Sequence, residues 1–183
     1  TTHQNPDGDA IGSTLGLYHF AVNRGIKATI INFSPTPANL QFLPAAHGIE
    51  VYTPEAHDAL IAAADAICIL DLNSINRIQT MGDAVLSSPA VKVLIDHHQN
   101  PTIDAGVMVV DTDSTSTCEL IFRIIDASGF GFSPESATAI YTGIMTDTGG
   151  FRYPRTDAEI FQMAGRLLEY GADPVAIAEN VFN

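Results

Sequence analysis

Residues 66–98 read AICILDLNSINRIQTMGDAVLSSPAVKVLIDHH, and this stretch gives the clearest indication of the fold class. Two short apolar runs, 66–70 and 91–95, flank a segment from about Ile75 to Leu86 that we interpret as a helix. Apolar runs of this length are typical of strands buried in a parallel sheet. Because two parallel strands need a crossover connection, usually a right-handed helix, the stretch predicts a strand, a helix and a second strand.

The rest of the chain continues this alternation. Strands are predicted at 27–32, 66–71, 91–96 and 107–110. Helices are predicted at about 10–24, 54–64, 75–86, 120–128, 134–145 and 156–171, and from 174 onward. Segment 34–44 contains three prolines and is interpreted as a loop or short helix near the site. Together these elements predict an α/β fold: a doubly wound, mainly parallel sheet flanked by helices, with a helical second half.

The composition and charge of the chain exclude several classes of protein. The 183 residues carry a net charge of −13, and an acidic surface repels long polyanions, so we expect no binding to long duplex nucleic acid. Cys68 and Cys118 form no disulfide framework and are interpreted as core thiols in a reducing compartment. No apolar run is long enough to span a bilayer. We therefore expect a cytoplasmic protein without a membrane partner, and a homodimer is compatible with the sequence.

The first residues contain three potential metal ligands close together. Residues 3–12 read HQNPDGDAIG and place His3, Asp7 and Asp9 around a turn signal. Two carboxylates this close repel each other unless a cation lies between them, and no Lys or Arg precedes Arg24. A bound metal ion explains the pattern, whereas a solvated acidic turn is the alternative for these residues alone.

Further ligand types follow at the ends of predicted strands. Asp71 ends one strand, Asp96-His97-His98 ends the next, and Asp147 follows a helical stretch beside a glycine pair. Ligands of open α/β sheets bind at the carboxyl ends of the strands. The candidate metal ligands are four carboxylates and two imidazoles, namely His3, Asp7, Asp9, Asp71, His97 and Asp147.

The charges of this set favour two divalent cations, since these would cancel four carboxylates. Mixed Asp and His ligation without thiolate suits Mn²⁺, with Mg²⁺, Co²⁺ or Zn²⁺ as alternatives. Paired metals about 3.5–4 Å apart typically activate a water and clamp a phosphoryl group. Hydrolysis of a phosphoester or phosphoanhydride is therefore the expected reaction class.

Four of these motifs resemble those of the DHH phosphoesterase superfamily, in the same order along nearly the whole chain. They are residues 3–13 (HQNPDGDAIGS), the strand-end Asp71, residues 96–98 (DHH) and residues 146–149 (TDTG). The first motif, with the DTGGFR of residues 147–152, is most similar to the DHH/DHHA1 subfamily of nanoRNases and phosphoadenosine-phosphate phosphatases. The resemblance implies a DHH catalytic domain over 1–183.

The resemblance also implies a division of roles. His3, Asp7 and Asp71 would hold one metal, and Asp71 would bridge to a second one. His98 would face the scissile phosphate as a catalytic residue beside Asp71, and Asp96 would orient a histidine. The ligands of the second metal would be Asp9, Asp71, His97 and Asp147.

The start of the chain, Thr1-Thr2-His3, places a ligand where a preceding strand would be expected to fix it. Family members also carry a C-terminal DHHA1 substrate domain with a glycine-rich motif, which nothing after Asp147 supplies. We therefore expect an excised segment that lacks its first strand and this C-terminal domain.

The expected activity is hydrolysis of very short oligonucleotides, of 3′-phosphoadenosine 5′-phosphate, or of both. An inorganic pyrophosphatase or exopolyphosphatase of the same superfamily is the alternative. A receiver-like regulatory module is the alternative of another class, although a receiver has no need of His3 or His97. Arg152 is a candidate for a substrate phosphate and Arg155 a weaker one. Tyr153 is interpreted as a packing residue, with stacking on a base as the alternative.

Overall fold

The computed structural model describes residues 1–182 and contains seven α-helices and five short strands there. The strands are β1 (Ile31–Asn32), β2 (Glu50–Val51), β3 (Ala66–Leu70), β4 (Val91–Asp96) and β5 (Val107–Val110). The helices are α1 (Gly8–Val22), α2 (Pro54–Ala62), α3 (Met81–Ser87), α4 (Thr117–Ser128), α5 (Pro134–Asp147), α6 (Ala158–Glu169) and α7 (Pro174–Phe182). Across residues 1–182, no helix combines the length and the apolar character needed to cross a bilayer.

All observed strand pairs are parallel. β3, β4 and β5 form one sheet in that order, and β1 pairs with β2 in a separate two-stranded sheet. Leu70 is aligned with Ile95. The ends of β3 and β4 therefore meet at one edge, where Asp71 follows β3 and Asp96 closes β4.

Alternate residues of the central strands pack into two different cores. Leu70 and Ile95 belong to the core formed with α4, α5 and α6. Ile69 and Leu94 belong to the core that contains residues of α3. Because successive side chains of a strand point to opposite faces, helices cover both faces of the sheet. The α/β, doubly wound architecture predicted from the sequence is confirmed.

Some boundaries differ from the predicted ones. The helix predicted at 75–86 is a 3₁₀ turn, Ile75–Ile78, followed by α3, because Gln79 has a positive φ of 51° that no α-helix accommodates. The strand predicted at 27–32 is reduced to β1. β2 was not predicted, since both of its residues are exposed and it has no apolar run.

Helix starts follow side-chain caps. Asp7 caps α1, so this helix begins at Gly8, before the predicted start at Asp9 or Ala10. Ser116 caps α4 as expected, but the carboxylate of Glu119 accepts from Thr115 instead of completing a capping box with Ser116. Asp157 caps α6, where the pattern had indicated Thr156.

Helices α1 and α5 pack closely against each other, with glycines at their contact. A Cβ added at Gly12 would lie 2.5 Å from the carbonyl oxygen of Ala139, and one at Gly143 would overlap the thiol of Cys118. Gly8 faces Thr146 while Gly16 faces Ile140, so the two helices run antiparallel. This packing brings the first turn of α1, which carries Asp9, to the last turn of α5, which ends at Asp147.

We predict that Gly143→Ala destabilises the protein, by about 1–3 kcal/mol, because the added methyl overpacks a closed contact. Gly165→Ala is the matched control: this glycine also lies in a helix, and an added Cβ there meets nothing within 4 Å. The control should gain up to about 1 kcal/mol from helix propensity. Urea unfolding of both variants measures the difference, and equal stabilities would contradict the close-packing argument.

Candidate metal centre

The candidate metal ligands converge at the edge where β3 and β4 end. Asp71 lies at the centre, is 1% exposed and has a positive φ of 57°. A non-glycine residue in this left-handed conformation is strained, and such residues cluster at functional sites when the surrounding structure holds them there. The structure brings together all six side chains predicted as ligands.

The first group consists of His3, Asp7 and Asp71. His3 Nε2 lies 3.5 Å from Asp71 Oδ2 and 3.9 Å from Asp7 Oδ2. The His3 Nδ1 atom is 2.8 Å from the carbonyl oxygen of Gln4 and must donate to it, so neutral His3 carries its lone pair on Nε2. Within residues 1–182, this buried Nε2 has no hydrogen-bond partner. A lone pair aimed between two carboxylate oxygens is the donor set that a divalent cation requires.

The second group is centred on His97. Its Nε2 atom lies 3.3 Å from Asp147 Oδ2, 3.5 Å from Asp71 Oδ1 and 3.8 Å from Asp9 Oδ2. Asp71 thus presents Oδ2 to the His3 group and Oδ1 to the His97 group. This arrangement is the one a carboxylate needs in order to bridge two cations.

The amino terminus of α4 holds two of these carboxylates in place. The backbone amides of Thr117 and Cys118 donate to the two carboxylate oxygens of Asp9, at 2.7 and 2.8 Å. The Thr117 hydroxyl donates to Asp71 Oδ1 at 3.0 Å. Sequence reasoning recognised a helix start at Ser116 but missed this role, since Thr117 lies 108 positions from Asp9 and no local pattern reports the contact.

Burial and like charge shift the carboxyl groups in the absence of metal. Burial, reinforced by the charges of Asp71 and Asp147, raises the pKa of Asp9 well above its usual range. The same causes, burial first and then the charges of Asp71 and Asp7, raise the pKa of Asp147 to about 7. Burial would also raise the pKa of Asp71, but the neighbouring imidazoles, His3 foremost, outweigh it and hold this pKa below its usual range.

His98 lies beside this cluster and has a different partner. Its Nδ1 atom is 2.7 Å from Asp96 Oδ1, and this hydrogen bond raises the pKa of His98. Asp96 is completely buried, so it is the fixed member of the pair. His98 is also near enough to Asp71 and His97 to share a cation with them, but its Nδ1 is already engaged by Asp96.

The two arginines predicted to contact a substrate phosphate, Arg152 and Arg155, have different surroundings. Arg152 is exposed, and its Nε donates to the carbonyl oxygen of Gly149 in its own loop at 2.6 Å. Arg155, which sequence reasoning ranked lower, lines a cavity beside Asp147 together with Tyr153.

We predict that Asp147→Asn stabilises the metal-free protein at pH 8 and weakens its response to Mn²⁺. The folded pKa of about 7 lies above the unfolded value, so stability falls as pH rises from about 4 to about 7, and the ionised carboxyl is unfavourable above this window. Chelated Asp147→Asn should therefore melt above chelated wild type, by roughly 2–4 °C for each kcal/mol gained.

Thermal melts at pH 8, with chelator and with saturating Mn²⁺, measure both effects. The exposed Asp104→Asn is the control and should match wild type under both conditions. Mn²⁺ should raise the melting temperature of wild type more than that of Asp147→Asn. An equal rise in the two proteins would argue that Asp147 is not a ligand.

Comparisons with known proteins identify relatives of this chain. The chain is 34% identical over 170 residues to the bifunctional oligoribonuclease and PAP phosphatase NrnA of Thermus thermophilus, covering 93% of this chain and 49% of that protein. The Bacillus subtilis protein of the same name is 29% identical over 171 residues, covering 92% and 51%. This chain thus spans about half the length of these curated relatives.

A solved structure has the same fold as this chain. A crystal structure of an exopolyphosphatase-related protein from Bacteroides fragilis superposes with a TM-score of 0.96 at 41% identity, covering 100% of this chain and 55% of that one. The model of the DHH family, N-terminal domain, matches residues 1–144, which include five of the six converging ligands. The chain therefore belongs to the DHH family.

Proposed function

We propose that this protein is a divalent-metal-dependent phosphoesterase that hydrolyses very short oligonucleotides, 3′-phosphoadenosine 5′-phosphate, or both. The observation that carries the proposal is the placement of Asp71, whose two oxygens face two separate groups of ligand atoms. The names of the Thermus and Bacillus relatives, which join oligoribonuclease and PAP phosphatase activities, support this substrate class.

Two cations fit the donor set. His3, Asp7 and Asp71 would hold one ion, and Asp71 would bridge it to a second ion. The ligands of the second ion would be Asp9, Asp71, His97 and Asp147. When bound, the pair supplies an activated water and positive charge opposite the phosphoryl oxygens. Oxygen and imidazole ligands without thiolate favour Mn²⁺, with Mg²⁺, Co²⁺ or Zn²⁺ as alternatives.

Cys118 lies beside Asp9 but belongs to none of the groups of converging ligand atoms within residues 1–182. Burial, followed by the charge of Asp9, raises the pKa of the Cys118 thiol well above its usual range. A neutral thiol is a poor metal ligand. The side chain instead packs between α1 and α5, where it contacts Gly143.

His98 is assigned the stabilisation of charge on the substrate. The bond to Asp96 fixes the ring through Nδ1 and favours its protonated form. A protonated imidazole keeps a second N–H, on Nε2, for a phosphoryl oxygen. Donors fixed in advance at developing charge contribute strongly to catalysis, because they need no reorganisation during the reaction.

A phosphoanhydride substrate is the second candidate. The Bacteroides structure is described as exopolyphosphatase-related, and a pair of metals suits pyrophosphate or polyphosphate as well as a phosphoester. A receiver-like module is less consistent with the site, since an acidic receiver pocket has no use for His3 and His97 facing the same carboxylate.

We predict Mn²⁺-dependent hydrolysis of pApA and of 3′-phosphoadenosine 5′-phosphate by the purified protein, with abolition by chelator. Phosphate and nucleotide release are followed by chromatography, and pyrophosphate is assayed in parallel. Asp71→Asn should lose both activities and bind fewer Mn²⁺ ions, because the negative charge of the bridging side chain is removed. Faster turnover of pyrophosphate than of either nucleotide would favour the second candidate, and full activity in chelator would overturn the metal assignment.

We predict that His98→Ala retains Mn²⁺ binding while its kcat falls about 10²–10³-fold, the usual cost of removing one such donor. His47→Ala is the control, since His47 is exposed in a 3₁₀ turn and should behave as wild type. Mn²⁺ titration and steady-state kinetics are measured on the same preparations. If His98→Ala loses Mn²⁺ in proportion to activity, His98 is a ligand and its assigned role is wrong.

A further inference from the structure

A cavity of about 340 Å³ adjoins Asp147. Its walls come from the residue Thr115 just before α4, from the end of α5 and from the loop between α5 and α6. The lining residues are Thr115, Asp147, Thr148, Tyr153, Pro154, Arg155 and Thr156. The volume lies within the range of small-molecule sites, about 300–1,000 Å³. The lining is mainly apolar and includes an aromatic ring and a proline, which suits a flat organic group better than a phosphate.

The Tyr153 ring is exposed and packs against the backbone of its own loop. It is 58% exposed, and its amide donates to the carbonyl oxygen of Thr148 at 3.0 Å. Gly149 backs the ring so closely that a Cβ there would lie 2.5 Å from Tyr153 Cε1, and Gly149 has a φ of +60°. An aromatic side chain held by its own loop and left open on the cavity side has the form of a stacking platform.

Arg155 forms another wall of the same cavity. Its Nη1 donates to the carbonyl oxygen of Thr112 at 2.6 Å, which ties the α5–α6 loop to the segment that follows β5. The chain has only 8 Lys and Arg against 21 Asp and Glu, so a guanidinium fixed beside a carboxylate cluster is a scarce cation. Its planar face suits stacking on a nucleobase.

We propose that this cavity is the subsite for the nucleoside of the substrate, with the base stacked on Tyr153. The inference rests on the proposed function: a phosphate at the metal centre places its attached nucleoside within reach of a cavity that shares Asp147. Stacking tolerates any base, which suits an enzyme for short oligonucleotides of mixed sequence. A pyrophosphate has no group that would fill this space.

Binding of adenosine tests the subsite without metal or turnover, since adenosine carries no phosphate. Chelated protein is titrated with adenosine and followed by NMR. Tyr153→Phe should bind as wild type does, because stacking needs only the ring. Tyr153→Ala should bind about 5- to 100-fold more weakly. Phe130→Ala, which removes a 72% exposed ring from another loop, is the matched control. Equal adenosine affinity in Tyr153→Ala and Phe130→Ala would overturn the proposal.

Kinetic measurements distinguish a failure of the nucleoside subsite from a failure of the proposed function. With Mn²⁺, Tyr153→Ala should raise KM for pApA by the same factor, with kcat changed less than about threefold, and leave KM for pyrophosphate unchanged. An equal rise in KM for both substrates would count against a nucleoside subsite. If wild type hydrolyses no phosphoester at all, the proposed function fails, whereas loss of adenosine binding in Tyr153→Ala would still support the subsite.

Discussion

Burial of several carboxylates in one cluster is the physical constraint behind the candidate site. Burial raises the pKa of Asp9 and of Asp147, and the charges of neighbouring carboxylates raise both further, so the ionised cluster is unfavourable without a cation. Part of this cost is offset within the protein. Two amides of α4 bind Asp9, and imidazoles surround Asp71. These contacts hold candidate ligands in position before any cation would bind.

The same constraint explains local features that packing alone does not require. Asp71 adopts a strained left-handed conformation, and its two oxygens face two groups of candidate ligands. Gly12 and Gly143 allow α1 and α5 to approach until Asp9 and Asp147 flank His97. Both features place charged atoms at the expense of stability, as is common at functional sites.

The electrostatics of the whole chain also bear on substrate choice. A net charge of −13 opposes an extended polyanion. A small phosphorylated molecule would avoid most of this repulsion, because it would enter only the region that the proposed cations and the His98 ring would make locally positive. The cavity beside Asp147 adds a mainly apolar surface next to that region. The short nucleotides proposed as substrates would satisfy both conditions.

The sequence alone predicts the α/β class and the parallel strands from apolar runs, and it predicts that Asp71 and His97 meet where such runs end. The other candidate ligands follow from the HQNPDGDAIG turn and from the end of a helical stretch. The break at Gln79, the exposed strand β2 and the contacts of Thr117 are not predicted, since these depend on residues far apart in the chain. The sequence favours packing for Tyr153 over stacking on a base, whereas the fold leaves the ring exposed beside Asp147. Periodicity indicates which residues are buried, but contacts between residues far apart in the chain are visible only in the tertiary structure.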